Sequence, residues 1–510
     1  MSLQHKLLSL FLLLLTLHAA AQPTPGAYNV RTYGATGNGK TLDSPAINKA
    51  IAAAAQAGGG TVYLPAGTYL SGSLHLKSNI ELNLSAGAVL LGAPQAMNAY
   101  DPAETFAGKA YQDGGHTYFH NSLIWGEDLT NVSITGRGLI DGGGLTLKDK
   151  EHLGNPTGGS IGLGDKAIAL KRCHNVLIRD VTMVRGGHFA ILLTGCDLTT
   201  LDNLTIDTNR DGIDIDCCTN TMVSNCRVNS PHDDAICPKS SYALGRPWLT
   251  ENLLITNCAV SGFEEGTLLD GRRIPAKVGW SSGRIKFGTE SNGGFRNCVV
   301  SNCVFESCNG LALEEVDGGI MENISISNLT MRNISHYPIY ITLGSRNRGP
   351  AETTKTGVVR NISIANVVAT TRDSLSGIQI TGVPGHPLEG IRLSNIYVRY
   401  QGGGTTAQSQ RALPELASLE TQYPEPFLLG PTPAYGLFAR HVRDLKLSNI
   451  RFELNGPDQR PALLAEDVEE LSLDDFQAPV AKGVETARFV DVKARRVQNA
   501  PGIKATKPTR

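Results

Sequence analysis

HFAILLTG (188–195), RDGIDIDCC (210–218) and HDDAICPKS (232–240) are the three stretches that decide the fold, and each begins 22 residues after the one before it. A short apolar strand repeated at a constant interval of this length is typical of a solenoid, in which every coil returns to the same angular position. Residues one repeat apart then stack about 4.8 Å from each other, which is the spacing of neighbouring strands.

The wider repeat is an asparagine or aspartate followed by alternating apolar residues. It occurs in TNTMVSNCRV (219–228), RNCVVSNCVF (296–305), ENISISNLTM (322–331) and RNISIANVVA (360–369), among others. Short alternating strands separated by glycine and asparagine turns predict an all-β protein, a single right-handed parallel β-helix. The stacked asparagines are expected to form amide ladders at the turns. A leucine-rich repeat is the main rival, but its L-x-x-L-x-L spacing is absent.

The first 21 residues have the pattern of a cleavable signal peptide. A lysine precedes a nearly wholly apolar stretch over residues 7–17, and an alanine triplet follows it. Because the apolar stretch is too short to span a bilayer, we expect a secreted or periplasmic protein. The β-helix domain is expected over residues 22–495, and a flexible basic tail over 496–510.

The composition excludes several classes of partner. The net charge is −1 and the pI about 6.9, and no basic block precedes the tail. Neither nucleic acid nor a membrane surface is therefore an expected partner. We expect a monomer.

Ten cysteines lie between Cys173 and Cys308. Cys226, Cys258 and Cys303 each follow the asparagine of a repeated S/T-N-C pattern, which favours thiols stacked inside successive coils. Although export permits disulfides, we expect few of them and assign none. The absence of C-x-x-C and Cys/His spacings indicates that the protein has no metal site.

The front of the domain contains a predicted helix over residues 45–57, with Ser44-Pro45 at its start. We expect this helix to cap the first coil, whose exposed backbone edge would otherwise invite aggregation. The longest insertions in the repeat cover residues 141–167, 263–283 and 401–435. The last of these is rich in proline and leucine and is expected to pack on the solenoid.

The chemistry is expected at Asp211, Asp233 and Asp234, because the repeat brings these carboxylates from two neighbouring coils to one face. Like charges packed so closely cost free energy unless a function uses their shifted pKa values. A calcium site or a turn-capping cluster is the alternative. Asp214 and Asp216 follow Asp211 on alternate positions, and one of them is expected to bond a turn amide with no catalytic part.

These residues resemble the motifs of glycoside hydrolase family 28, which includes polygalacturonases and rhamnogalacturonan hydrolases. The N-T-D-G motif of the family corresponds to Asn209-Arg210-Asp211-Gly212, and its D-D pair with trailing K-S corresponds to Asp233-Asp234 and Lys239-Ser240. The resemblance implies an exported glycosidase that cleaves α-galacturonosyl-type linkages in pectic polysaccharide or oligosaccharide without a cofactor.

The resemblance also implies roles for the three acids. Asp233 would protonate the glycosidic oxygen, while Asp211 and Asp234 would hold and deprotonate the attacking water, with inversion at the anomeric carbon. The close spacing of the acids points to retention by the carboxylate-separation rule alone. The precedent of the family favours inversion.

Two elements of the family pattern are missing. No histidine stands in the coil after the aspartate pair, where the family has G-H-G, and Ala312 and Glu314 occupy the Arg and Lys positions of its R-I-K. A neutral sugar such as rhamnose at one subsite fits this loss. A literal Arg284-Ile285-Lys286 lies one coil earlier, and alternation places Arg284 and Lys286 on one strand face. They either bind a substrate carboxylate, together with Lys239, or are solvated surface charges.

The remaining candidates are substrate-binding residues. Asn209 belongs to the family motif, and His188 and His232 stand in the same column as the acids, where they either line the cleft or cap a turn. The cleft is expected to cross the coils that contain residues 188, 211, 233, 265 and 310. Two other functions remain open: a β-helix polysaccharide lyase that uses Ca²⁺ and an arginine base, and a non-catalytic carbohydrate-binding solenoid.

Overall fold

The computed structural model describes residues 26–143, 145, 166–277, 282–373, 377–419 and 423–505. The predicted signal peptide over residues 1–21, most of the 141–167 insertion and the last five residues of the predicted tail lie outside the described residues. No described helix has the length and apolar character that a membrane crossing requires.

The described strands form two parallel sheets that wind along one axis, so the predicted parallel β-helix is confirmed. The smaller sheet has six strands, one per coil, and carries the site described below. Its strands are β5 (Leu74–His75), β8 (Ile124–Glu127), β11 (Lys166–Lys171), β14 (Phe189–Thr194), β17 (Asp211–Asp216) and β20 (Ile236–Lys239).

The larger sheet has 26 strands and forms the other faces of the solenoid. They are β1 (Gly26–Asn29), β2 (Asn38–Leu42), β3 (Gly60–Leu64), β4 (Gly67–Ser71), β6 (Ile80–Leu84), β7 (Ala88–Gly92), β9 (Thr130–Thr135), β10 (Leu139–Asp141), β12 (His174–Arg179), β13 (Thr182–Val184), β15 (Asp197–Asp202), β16 (Thr205–Asp207), β18 (Thr219–Ser224), β19 (Arg227–Asn229), β21 (Thr250–Thr256), β22 (Ala259–Ser261), β23 (Lys286–Phe287), β24 (Gly294–Glu306), β25 (Asn309–Glu315), β26 (Ile320–Leu343), β27 (Val358–Thr371), β28 (Ile378–Thr381), β29 (Leu388–Tyr400), β30 (Leu437–Leu454), β31 (Leu463–Gln477) and β32 (Ala487–Gln498).

The core runs along the inside of the coils as columns of stacked side chains. In the smaller sheet Ile191 pairs with Ile213, which pairs with Ile236, and a parallel bridge continues this column to Ile285. All four side chains are fully buried. Burial of each isoleucine contributes about 1.5–3 kcal/mol, so the column holds consecutive coils in register.

Asparagine ladders hold the turns. The amides of Asn302, Asn328, Asn366, Asn395 and Asn449 form a continuous chain of Nδ2–Oδ1 hydrogen bonds of 2.9–3.0 Å. All five residues have a positive φ, between 51° and 58°. Asparagine tolerates this left-handed conformation better than most residues, so the same side chain permits the turn and links it to the next coil. The predicted ladders are confirmed.

Helical segments are short apart from one. Helix α1 (Ser44–Gln56) begins one residue before the predicted range, and it buries Ile47, Ala50, Ile51 and Ala54 against the first strands, β1, β3, β4, β5 and β6. The others are α2 (Thr406–Ser409) and the 3-10 turns η1 (Val30–Tyr33), η2 (Gln95–Met97), η3 (Gly114–His116), η4 (Leu416–Leu419) and η5 (Pro426–Leu429).

The 401–435 insertion packs on the solenoid, as predicted. Leu413 and Leu429 are buried against Phe438 and Leu464. At the other end of the domain, β32 continues past residue 495, where the sequence placed the domain boundary. It does so because Val497 pairs with Leu473 and is buried in the core.

All ten cysteines are buried and none forms a disulfide. Cys226, Cys258 and Cys303 lie inside successive coils, as the S/T-N-C pattern predicts. Their thiols act as small apolar core residues.

Candidate active site

A cleft of about 740 Å³ lies along the outer face of the smaller sheet. It crosses the predicted coils at His188, Asp211, Asp233 and Asn309. In the coil for which residue 265 was predicted, Ser282, Arg284 and Lys286 line the cleft instead. The difference arises because residues 263–277 belong to the insertion, and the chain rejoins the coil only after it.

The three predicted acids meet in this cleft. One carboxylate oxygen from each of Asp211, Asp233 and Asp234 lies within 4.8 Å of the others. Asp211 begins β17, and the aspartate pair stands in the turn before β20, one coil away. The backbone N–H of Asp234 donates to Asp211 Oδ1 at 3.0 Å, which ties the two coils together at the site.

The exposure of the three side chains differs. Asp233 is 28% exposed and accepts a hydrogen bond from Arg210 at 2.9 Å, whereas Asp211 and Asp234 are buried. Asp233 is therefore the acid that reaches into the open cleft.

Asp234 is surrounded by hydrogen-bond donors and positive charge. Arg284 Nε donates to its Oδ1 at 2.8 Å, Ser282 Oγ donates to the same oxygen at 2.7 Å, and Lys286 Nζ lies 3.4 Å from Oδ2. Burial alone would raise the pKa of Asp234, but the charges of Lys286 and Arg284 hold it well below its usual value. Asp234 therefore stays ionised.

Asp211 has the opposite environment. Burial, then the charges of Asp214 and Asp233, raise the pKa of Asp211 well above its usual value. Asp211 and Asp234 have carboxylate oxygens less than 5 Å apart, yet their surroundings favour different protonation states, as general acid-base chemistry requires.

Behind Asp211 lies a buried group in which Lys239, a predicted substrate-binding residue, meets residues that sequence reasoning did not assign to the site. Lys239 Nζ lies 3.1 Å from Glu290 and 3.9 Å from Asp214, and His116 lies between Asp214 (3.9 Å) and Asp216 (3.5 Å). Burial raises the pKa of Asp214 to about 7 against the opposing charges of Lys239 and His116. Asp216, not Asp214, bonds the turn, through the backbone N–H and hydroxyl of Ser241.

Arg284 and Lys286 are both buried in the floor of the cleft, so the interpretation as solvated surface charges is wrong. They share one face, as predicted from alternation, since both contact Asp234 and Glu425. The insertion over 401–435 supplies Glu425. The solvated interpretation fails because that insertion covers the strand.

The two predicted histidines line the cleft, as does Lys239. His188 is buried on the ring of Phe189, with Nε2 3.6 Å from Asp113, and His232 is exposed. Among the described residues, Asn209 is not one of those lining the cleft; its carbonyl accepts the backbone N–H of His232 at 3.1 Å.

Several lining residues were missed because they come from segments without the repeat. Asp113 and His116 are supplied by the loop at η3, and Tyr423 and Glu425 by the 401–435 insertion. The only signal for the second pair was the length and apolar composition of the insertion, which predicted packing but no contact with the acids.

Two family models match the chain. The model described as rhamnogalacturonase A/epimerase, pectate lyase-like, matches residues 27–264, and the model for glycosyl hydrolases family 28 matches residues 278–418.

Similar proteins agree with these matches. A probable polygalacturonase of Vitis vinifera is 26% identical over 389 residues, which cover 72% of this chain and 73% of that protein. An exo-poly-alpha-D-galacturonosidase of Dickeya chrysanthemi is 34% identical over 145 residues, 28% of this chain and 24% of that protein.

Solved structures show the same fold. An exopolygalacturonase from Thermotoga maritima matches with a TM-score of 0.59 at 23% identity, covering 74% of this chain and 88% of that one. A family 28 exopolygalacturonase from Yersinia enterocolitica matches with a TM-score of 0.61 at 19% identity, covering 94% and 79%. The matched family models and the polygalacturonase relatives agree: the chain is a polygalacturonase-like glycosidase, and over residues 278–418 it is similar to the glycosyl hydrolases family 28.

Proposed function

We propose that the protein hydrolyses α-galacturonosyl linkages in pectic polysaccharide or oligosaccharide by an inverting mechanism that uses Asp233, Asp211 and Asp234. The observation that carries this proposal is the meeting of three carboxylates in one cleft, with Asp233 partly exposed and Asp234 held as an anion. The relatives named as polygalacturonases support the choice of substrate.

In this mechanism each of the three aspartates has a different role in moving protons. In the productive state Asp233 carries the proton, because only this side chain reaches into the open cleft, and Asp211 is ionised; its raised pKa makes it the stronger base. Asp233 donates the proton to the glycosidic oxygen as the bond to the anomeric carbon breaks. Water, oriented by Asp234, attacks that carbon and gives its proton to Asp211. Transfer of this proton from Asp211 back to Asp233 restores the site.

Inversion is supported by the poor access to the two buried acids. A retaining enzyme needs a carboxylate that attacks the anomeric carbon directly, and its two carboxyls are usually about 5–5.5 Å apart. The spacing here is short, but both oxygens of Asp234 already face Arg284, Ser282 and Lys286, and Asp211 is buried. Proton NMR of the first sugar released decides the stereochemistry: a product with the starting anomeric configuration excludes inversion.

The direct test of function is incubation with a panel of pectic oligosaccharides and identification of the products. We expect new reducing ends without an unsaturated sugar, and activity that persists in a chelator. Activity that requires Ca²⁺ and yields unsaturated products that absorb in the ultraviolet would identify a lyase instead. Binding to the panel without any cleavage would identify a non-catalytic solenoid.

We also propose that residues 1–21 direct export and are then removed, and that the mature protein is a monomer. Helix α1 is proposed to cap the first coil, since its apolar face packs on the first strands. The solenoid is proposed to be right-handed, as nearly all parallel strand crossovers are. Amino-terminal sequencing of the exported protein and its mass in solution test the first two proposals.

A further inference from the structure

Arg284 and Lys286 carry two positive charges in the floor of the cleft, but carboxylates of the protein itself already pair with both. Arg284 Nη2 lies 2.5 Å from Glu425 Oε1, and Lys286 Nζ lies 3.1 Å from the same oxygen. On their other side, both cations contact Asp234. Two cations thus meet two carboxylates in a buried group.

The remaining contacts of the pair are also internal. Arg284 Nη1 donates to the hydroxyl of Tyr337. The ring centroid of Tyr423 lies 5.1 Å from Lys286 Nζ, and the Tyr423 hydroxyl accepts a hydrogen bond from Lys286 at 3.3 Å. Glu314 lies 4.0 Å from Arg284 and 3.9 Å from Lys286, and burial raises its pKa to about 8. It therefore adds little negative charge at neutral pH, and the balance of two cations and two anions holds.

The other cations that line the described part of the cleft are likewise paired with carboxylates. Arg210 pairs with Asp233, and Lys239 and Arg348 lie 3.1 Å and 3.6 Å from Glu290. A sugar carboxylate placed against Arg284 and Lys286 would be a third buried anion, because Asp234 and Glu425 already neutralise these two cations. Burying a charge without a partner is costly, so this subsite disfavours an acidic ring.

We propose that Glu425 determines the specificity of this subsite: its carboxylate occupies the Arg284–Lys286 pair in place of a substrate carboxylate, so the ring bound there is a neutral sugar. The substrate class is then a mixed pectic oligosaccharide, in which an acidic sugar is linked to an uncharged one. This inference rests on the proposed hydrolase function.

The test compares substrates that differ by one carboxylate. A galacturonate oligosaccharide is prepared unreduced, and with the ring on one side or the other of the scissile bond reduced to galactose. We expect the wild-type protein to cleave one of the two singly reduced substrates with a higher kcat/KM than the unreduced one. A preference for the unreduced substrate over both overturns the proposal, whatever the behaviour of any variant.

Glu425→Gln then frees the cations while keeping the shape of the side chain. We expect kcat/KM for the unreduced substrate to rise relative to the preferred reduced one by about tenfold or more, mainly through KM, as for one charge-assisted hydrogen bond. An unchanged ratio overturns the proposal. Because general damage to catalysis affects both substrates alike, it cancels in the ratio.

Two controls make the ratio decisive. Glu425→Asp keeps the charge and should keep the wild-type ratio, and Glu415→Gln removes a carboxylate of the same insertion that contacts Arg440 and His441. A shift in Glu415→Gln equal to that in Glu425→Gln would attribute the effect to loosening of the insertion and overturn the proposal. Cleavage of no substrate by the wild type contradicts the hydrolase function itself, which distinguishes the two failures.

Discussion

Arg284 and Asp234 form a buried ion pair, with Nε and Oδ1 2.8 Å apart, at the back of the cleft in which Asp233 is partly exposed. The pair fixes one carboxylate as an anion, while the neighbouring Asp211 is driven toward its protonated form by burial and by Asp214. Environment alone therefore assigns different tasks to acids of the same chemical type.

Asp233→Asn should lower kcat by about 10²–10⁴-fold, the usual contribution of a general acid, since the amide has the shape of the carboxyl but no proton to donate. The variant should keep the fold and much of the substrate binding. Steady-state kinetics on pectic oligosaccharide measures the loss. Asp270→Asn, which removes an exposed carboxylate that pairs with Arg272, is the control and should be fully active. Retention of more than about a tenth of the activity in Asp233→Asn contradicts its role.

Lys286→Met should raise the pKa of Asp234, because one of the two charges that lower it is lost. Asp234 is needed as an anion, so the acidic limb of the plot of kcat/KM against pH should move to higher pH. The effect should be the same for acidic and carboxyl-reduced substrates. An effect confined to KM for acidic substrates would mean that Lys286 binds a sugar carboxylate.

Asp214→Asn should lower the pKa of Asp211, because Asp214 is the largest of the charges that raise it. Asp211 must be deprotonated to act as a base, so the acidic limb should move to lower pH, in the direction opposite to Lys286→Met. The other charged groups that act on the Asp214 carboxyl stay in place; they are Lys239, His116, Asp233 and Asp234.

Asp216→Asn is the matched control for Asp214→Asn. It stands on the same strand and also contacts His116, but it bonds Ser241 and is not among the main charges acting on Asp211. Its acidic limb should stay where it is. Equal shifts in both variants would show that the effect comes from His116 or from general loosening of the strand.

Asn328 tests the ladder at the turns. The backbone at Asn328 is left-handed, with a φ of 58°, which alanine adopts less readily than asparagine. Asn328→Ala also removes both ladder bonds, so it should lower the free energy of unfolding by roughly 2–4 kcal/mol. Asn328→Gly relieves the backbone term and should cost less than the alanine variant. Urea unfolding measures both. Equal losses would mean that the ladder bonds alone account for the stability.

The fold and the acid trio were predictable because both depend on the repeat. A constant interval places Asp211 one coil from Asp233, and alternation places Arg284 and Lys286 on one face, so arithmetic on residue numbers predicts these contacts. The register found between Ile213 and Ile236 is the physical form of that arithmetic.

The partners of these residues were not predictable in the same way. Glu425 reaches Arg284 across 141 residues, from an insertion that has no repeat and hence no register. His116 comes from a 3-10 turn ahead of the repeat on which the motifs lie. Whether a charge on a strand is solvated or buried depends on what covers it, and alternation carries no information about the cover.

The ten buried, unpaired cysteines can serve as probes of local opening of the solenoid. Because no covalent cross-link ties the coils, a reductant should leave the melting temperature unchanged. Each thiol between Cys173 and Cys308 is shielded until its coil separates from its neighbours. The rate at which an alkylating reagent modifies each thiol would then report how often each coil opens and at which end of the solenoid unfolding begins.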